Sequence, residues 1–161
     1  MQIILLTHER ELERPSNTGK LVLSAVAGEG VGVERVIWRR AEPDKALLAT
    51  LDDPAMGLLY PDTEVAGEAA GNMSIETCER FILLDATWQE ARKMFNRSPY
   101  LHLVRRVNLV PARDSRFRLR RNQKSAGLCT VECVVEILRC KGHLELAALL
   151  EEEFERFNSA N

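Results

Sequence analysis

Short apolar runs of strand length alternate with helix-forming sequence along most of this chain, and that alternation leaves few architectures open. Residues 2–7, 35–38, 55–60 and 80–84 form such runs, each closed by polar or turn-forming residues. Asn17 or Thr18 can cap a helix that reaches Ala27 before Gly28-Glu29-Gly30 ends it, and Pro43 fits the first turn of a helix over 44–51. A Gly- and Ala-rich loop is expected over 63–72, a helix over 87–96, and two more strands over 102–110 and 115–119. The C-terminal part reads as two helices, one over 130–140 with Val131, Val134, Val135 and Leu138 as its apolar stripe, and one over 143–157. Strands that alternate with helices pair in parallel, so the expected fold is α/β: a single domain with a mostly parallel sheet and helices on both faces.

At 161 residues and 45% hydrophobic content, the chain can bury one good core and is short for two, so residues 1–161 read as one domain. No apolar run approaches the roughly 20 residues of a membrane span, and the N-terminus lacks the basic start and long apolar stretch of a signal peptide. A soluble, cytoplasmic protein with no membrane partner is expected. Cys78, Cys129, Cys133 and Cys140 contain no Cys-x-x-Cys pair and are expected to be reduced and buried, with no metal site.

The net charge of −2 conceals a strong asymmetry. From Arg92 to Lys124 there are eleven Lys or Arg against the single acid Asp114, a local charge of +10, and the rest of the chain carries −12. Segregation on this scale points to a polyanionic partner. On the expected strand over 115–119, Arg116, Arg118 and Arg120 share one face, with Arg105, Arg106, Arg113, Arg121 and Lys124 nearby in sequence. The acidic face of the last helix, Glu151, Glu152, Glu153 and Glu155, is expected to be solvated or to face a second copy.

Chemistry is concentrated where the run ending at Leu84 meets Asp85-Ala86-Thr87-Trp88. In open α/β sheets ligands bind beyond the carboxyl ends of the strands, which places Asp85, Thr87 and Trp88 at the mouth of a pocket. Three further blocks accompany that one: His8-Glu9 through Arg14, Asn17, Thr18 and Gly19; Leu58-Leu59-Tyr60-Pro61-Asp62; and Ser125 with Leu128-Cys129-Thr130-Val131-Glu132. Together the four blocks, in this order, resemble the DTW-domain family. Cys129 stands where Ser is usual and Cys133 where Ala is usual.

The resemblance implies a SPOUT-like fold with a trefoil knot and an RNA-modifying transferase that moves the 3-amino-3-carboxypropyl group of S-adenosylmethionine, its co-substrate, to a tRNA uridine, releasing methylthioadenosine. Leu58, Tyr60, Pro61, Asp62, Leu84, Leu128, Thr130 and Glu132 are then expected around the donor, with Tyr60 and Leu58 equally readable as core and Thr130 as a helix cap. Asp85 is expected to act as general base toward the uracil imide or to orient it, the competing role being a helix cap. Thr87 is expected beside it at the reacting end. Trp88 would stack on a base turned out of the RNA or fill the core. Arg14, Asn17, Thr18, Arg116, Arg118, Arg120 and Lys124 are expected at the tRNA or other structured RNA. Arg14 can hold a phosphate or the methionyl carboxylate, or pair with Glu9 or Glu11. Many members of the family carry a cysteine-rich zinc-binding segment before the first strand, whereas this sequence opens at Met1-Gln2-Ile3. A methyltransferase using the same donor and a non-catalytic RNA-binding protein are the alternatives.

Overall fold

The structure is a computed structural model and describes residues 1–26, 30–61, 71–110, 114–118 and 127–160. Its six strands are β1 (Gln2–His8), β2 (Gly32–Trp38), β3 (Met56–Leu59), β4 (Asn72–Met73), β5 (Arg80–Asp85) and β6 (Arg106–Val107). They form one sheet in the order β2-β1-β5-β3-β6-β4, and every pairing is parallel. Ile3, Ile4, Leu5 and Leu6 of β1 are at most 1% exposed. A central parallel strand covered on both faces needs such an uninterrupted apolar run.

The helices are α1 (Gly19–Ala25), α2 (Lys45–Leu48), α3 (Trp88–Asn96), α4 (Thr130–Cys140) and α5 (Leu144–Ala160). Alternation along the strands sends residues to opposite faces. Ile3, Leu5, Phe81 and Leu83 pack with Val22 of α1, Val134 and Leu138 of α4 and Leu150 of α5. Ile4, Leu6, Leu58 and Ile82 pack with Leu47 of α2 and Met94 and Phe95 of α3. The sheet is thus sandwiched, as expected, and all strand carboxyl ends point the same way. Among the described residues no helix is long and apolar enough to cross a membrane.

Several elements differ from the sequence reading. Residues 102–110 do not form one strand: Pro99–Leu103 is a 3-10 turn, and only Arg106–Val107 joins the sheet. Pro99 suits the first turn of a helix, and His102 stacks on Phe95 at 4.3 Å while its Nε2 meets Phe95 O at 3.0 Å, which holds the chain curled against α3. Residues 114–118 form no strand. Side chains replace a neighbouring strand there: Glu132 accepts from Arg116 N at 2.7 Å, and Asn158 bonds Arg116 O and Arg118 N at 2.8 and 3.1 Å. Within the expected loop over 63–72, Asn72–Met73 is the sheet's edge strand. Helix α2 covers only Lys45–Leu48, with Asp44 as its N-cap.

Candidate active site

Five strands of a parallel sheet end together at His8, Trp38, Leu59, Asp85 and Val107, and a cleft of about 240 Å³ opens beyond the last three. Its walls come from the ends of three strands and the start of one helix. Leu59, Tyr60 and Pro61 follow β3; Leu83, Leu84, Ala86 and Trp88 surround the end of β5; Asn108 and Leu109 follow β6; Leu128, Cys129 and Thr130 open α4. Most of this lining is apolar, with Thr18, Asn108 and Thr130 among its polar residues.

Strand parity sorts the expected donor contacts. Tyr60, Pro61, Leu84, Leu128 and Thr130 line the cleft. Leu58 does not: it is fully buried on the α3 face, paired with Ile82, and its neighbour Leu59 takes the place expected of it. Glu132 is also off the wall. Its carboxylate accepts from Cys129 N at 2.9 Å, from Ser115 Oγ at 2.6 Å and from Arg116 N, so it caps α4 and anchors residues 114–118. Asp62 lies outside the described residues.

Behind the wall stands a buried polar network centred on Asp85, which is 1% exposed and is not part of the cleft lining. Thr7 and Asp85 are opposite each other on β1 and β5, so both side chains leave the same face of the sheet. Thr7 Oγ1 donates to Asp85 Oδ2 at 3.0 Å, Asn17 Nδ2 to its two oxygens at 3.2 and 3.1 Å, and Thr130 Oγ1 to Oδ1 at 2.9 Å. Arg35 Nη2 lies 3.7 Å from Oδ2. Gly19, the first residue of α1, backs onto the same carboxylate: a Cβ there would sit 2.5 Å from Oδ2, so only glycine fits. The carboxylate thus stands one layer behind the cleft wall, and the helix-cap role at α3 falls to Thr87 instead.

Thr87 caps α3. Its hydroxyl accepts from Glu90 N at 3.2 Å and donates to Glu90 Oε2 at 2.8 Å, and Glu90 reaches back to Thr87 N at 3.3 Å. This reciprocal capping box uses Thr87's polar groups, and it is absent from the cleft lining. Burial pushes the Glu90 carboxyl up, but the two bonds from Thr87 and the nearby Arg14 charge outweigh it and hold the group below the usual carboxylate range. Trp88 does line the cleft, half-buried, with Gly127 packed on its indole so closely that a Cβ on Gly127 would lie 2.6 Å from Nε1.

The residues expected at RNA divide differently. Arg14 Nη1 bonds Glu11 at 2.7 Å and Nη2 pairs with Glu90 at 3.3 Å, the ion-pair alternative. Asn17 is 1% exposed and bridges Glu11 and Asp85, while its Oδ1 accepts from Lys20 N at 3.0 Å at the start of α1. Thr18 is buried, lines the cleft, and accepts from Val131 N at 3.4 Å. Arg116 is held by Glu151 and, at 2.7 Å, by Glu155. The acidic face of α5 is therefore neutralised within the chain, with Arg139 and Arg156 adding further pairs. Arg106 is buried over the Phe95 ring. Arg118 is exposed; Arg113, Arg120, Arg121, Lys124 and Ser125 lie outside the described residues. Basic side chains are exposed elsewhere, at Arg92, Lys93 and Arg97 of the segment that begins beside Trp88.

Sequence reasoning missed Asn108, Leu109, Phe117 and Cys133 on the wall, and Thr7, Glu11 and Arg35 in the network. Of the first group, Asn108, Leu109 and Phe117 hid in segments read as regular strands, and Cys133 in one read as a helix. The second consists of single polar residues far apart in sequence, and the one available signal was a threonine and a glutamate in or beside an apolar run. Burial and the Glu132 charge push the Cys129 thiol well up, and burial pushes Cys133 to about 12, so both stand at the cleft as neutral thiols.

The sequence profile of the DTW domain matches residues 1–160. A tRNA-uridine aminocarboxypropyltransferase 2 of Drosophila melanogaster is 27% identical over 143 residues, which cover 85% of this chain and 55% of that relative. The chain thus spans about half the length of the curated relative it matches. No solved structure matches it significantly.

Proposed function

The chain belongs to the DTW-domain family, and from that membership we propose that it is an S-adenosylmethionine-dependent transferase that places a 3-amino-3-carboxypropyl group on a tRNA uridine. The observation that carries this reading is the meeting of all four sequence blocks, at Thr18, Tyr60-Pro61, Ala86 and Trp88, and Leu128 to Thr130, around one mostly apolar cleft at the carboxyl edge of a parallel sheet. A flat aromatic base with a ribose suits such a wall: apolar side chains cover the ring faces and main-chain groups meet the edges. Leu59, Tyr60, Pro61, Leu84, Leu128 and Thr130 would hold the donor. The donor supplies an electrophilic carbon on a positively charged sulfur.

Transfer forms a bond from a uracil ring nitrogen to the terminal carbon of the aminocarboxypropyl arm and breaks that carbon's bond to sulfur. The electron pair of the broken bond stays on sulfur, which becomes the neutral thioether of methylthioadenosine, and the ring nitrogen gives up its proton to solvent water. The protein's part is alignment and exclusion of water. An apolar wall that keeps the sulfur, the arm and the ring nitrogen in line raises the rate through proximity. Trp88, half-buried at the cleft, would stack on an unpaired base. Arg92, Lys93 and Arg97 extend a basic face from that edge and are the phosphate contacts in this reading, in place of Arg14 and Arg116. The trefoil knot belongs to the same proposal and is tested by an experimental structure traced through residues 62–70, 111–113 and 119–126.

The deciding experiment is mass spectrometry of the small product and of the nucleosides after incubating the protein with S-adenosylmethionine and bulk tRNA. Methylthioadenosine with an aminocarboxypropylated uridine is the expected result. S-adenosylhomocysteine would mark a methyltransferase instead, and absence of both would mark an RNA-binding protein.

A further inference from the structure

The Thr130 hydroxyl has a single hydrogen, and the structure commits it. Thr130 Oγ1 donates to Asp85 Oδ1 at 2.9 Å, and the other side chains that meet this carboxylate, those of Thr7, Asn17 and Arg35, come to it as donors too. The same hydroxyl stands on the cleft wall, so it can offer a ligand only lone pairs. Nor can the carboxylate swing away. Thr7 and Asn17 hold both of its oxygens, Arg35 stands at 3.7 Å, and Gly19 closes the space behind it.

We propose that Asp85 is a positioning residue that fixes the Thr130 hydroxyl as a hydrogen-bond acceptor, so that the cleft takes at this point a ligand group bearing O–H or N–H. This inference rests on the donor reading above and names what that site recognises: a ribose hydroxyl or the adenine amino group of the adenosine, or the α-ammonium of the sulfonium donor. A ligand carbonyl or carboxylate oxygen would meet lone pairs with no hydrogen between them and is rejected there. The role differs from proton abstraction, since Asp85 acts through Thr130 and never meets the acceptor base.

The test is calorimetric binding of S-adenosylmethionine and of methylthioadenosine to wild type, T130V, T130S and D85N, each checked for folding by thermal melt. Valine keeps the shape of threonine without its oxygen, so T130V should bind roughly five- to tenfold more weakly, the effect of one hydrogen bond, while T130S should bind as wild type does. A loss on both ligands assigns the bond to the adenosine they share, through a ribose hydroxyl or the adenine amino group. A loss on S-adenosylmethionine alone assigns it to the ammonium. The D85N amide keeps one oxygen that can accept from Thr130, so D85N serves as a check that the network folds without the carboxylate; a folded T130V with wild-type affinity for both ligands overturns the proposal.

A second readout needs no ligand. In the free protein the Thr130 hydroxyl proton should give a slowly exchanging resonance, identified by its loss in T130V. Exchange as fast as that of a surface hydroxyl overturns the proposal whether or not D85N folds. If that slow proton is present and wild type binds neither ligand, the hydroxyl's fixed orientation stands and the donor reading fails.

Discussion

Asp85 and Glu151 each gather several donors, yet they stand in opposite settings. Asp85 is 1% exposed and receives hydrogen bonds from β1, from the turn before α1 and from α4, three segments that are distant in sequence. Glu151 lies on α5 and pairs with Arg116 and Arg139, whose side chains are 40% and 33% exposed. In the first region water cannot replace a lost partner, so each bond fixes a position. In the second region water and salt compete for every charge. The buried network should therefore set geometry at the cleft, and the ion pairs should do little more than tie down residues 114–118.

The strongest way to break this contrast is Asp85→Ala. It takes the acceptor from Thr130, leaves Thr7 and Asn17 only their bonds to Leu5 O and Glu11, and removes the counter-charge beside Arg35, so a loss on the order of 3 kcal/mol is expected in denaturant unfolding. A loss as small as that of a surface variant would place both regions in one class. Gly19→Ala comes next, because the added methyl meets a carboxylate that cannot yield; about 1–3 kcal/mol should be lost, read by the same unfolding curves.

Thr87→Val removes the α3 cap and should cost about 1 kcal/mol. It should also change the acid limb. The folded Glu90 carboxyl lies below its ordinary value, so its stabilising contribution is present above the unfolded-state value and is lost as pH falls through the folded one. Melting temperatures of the valine variant should consequently fall less steeply on acidification than those of wild type, and an unchanged slope would remove Thr87 from that account. Arg116→Ala should have the smallest effect, under about 1 kcal/mol and smaller still at high salt. A large, salt-independent loss would show that the surface cluster behaves like the buried one.

What the sequence made legible follows the same division. The apolar runs gave the strands of a parallel sheet because each pays no attention to distant partners: burial on both faces demands continuous apolar residues, and that pattern is local. The capping box of Thr87 and Glu90 was equally local, although Thr87 was read as chemical. Leu58 and Leu59 could not be sorted, because two adjacent apolar residues do not announce which face turns to the cleft. Asn17 read as an RNA contact because nothing in a single sequence shows that its amide bridges Glu11 and Asp85. Arg116 read as a phosphate contact because its partners lie 35 and 39 residues further on, across the fold.

The central claim is that the cleft beyond β3, β5 and β6 is the donor site and that the α5 ion-pair surface is not. Amide chemical-shift mapping with methylthioadenosine tests it most directly, since that ligand carries the adenosine without a reactive sulfonium. The account predicts shifts clustered at Leu59 and Tyr60, Leu84 to Trp88, Asn108 to Leu109 and Leu128 to Val131, with residues 114–116 and 151–158 little changed. Shifts concentrated around Arg116, Glu151 and Asn158, with the cleft silent at saturating ligand, would contradict it.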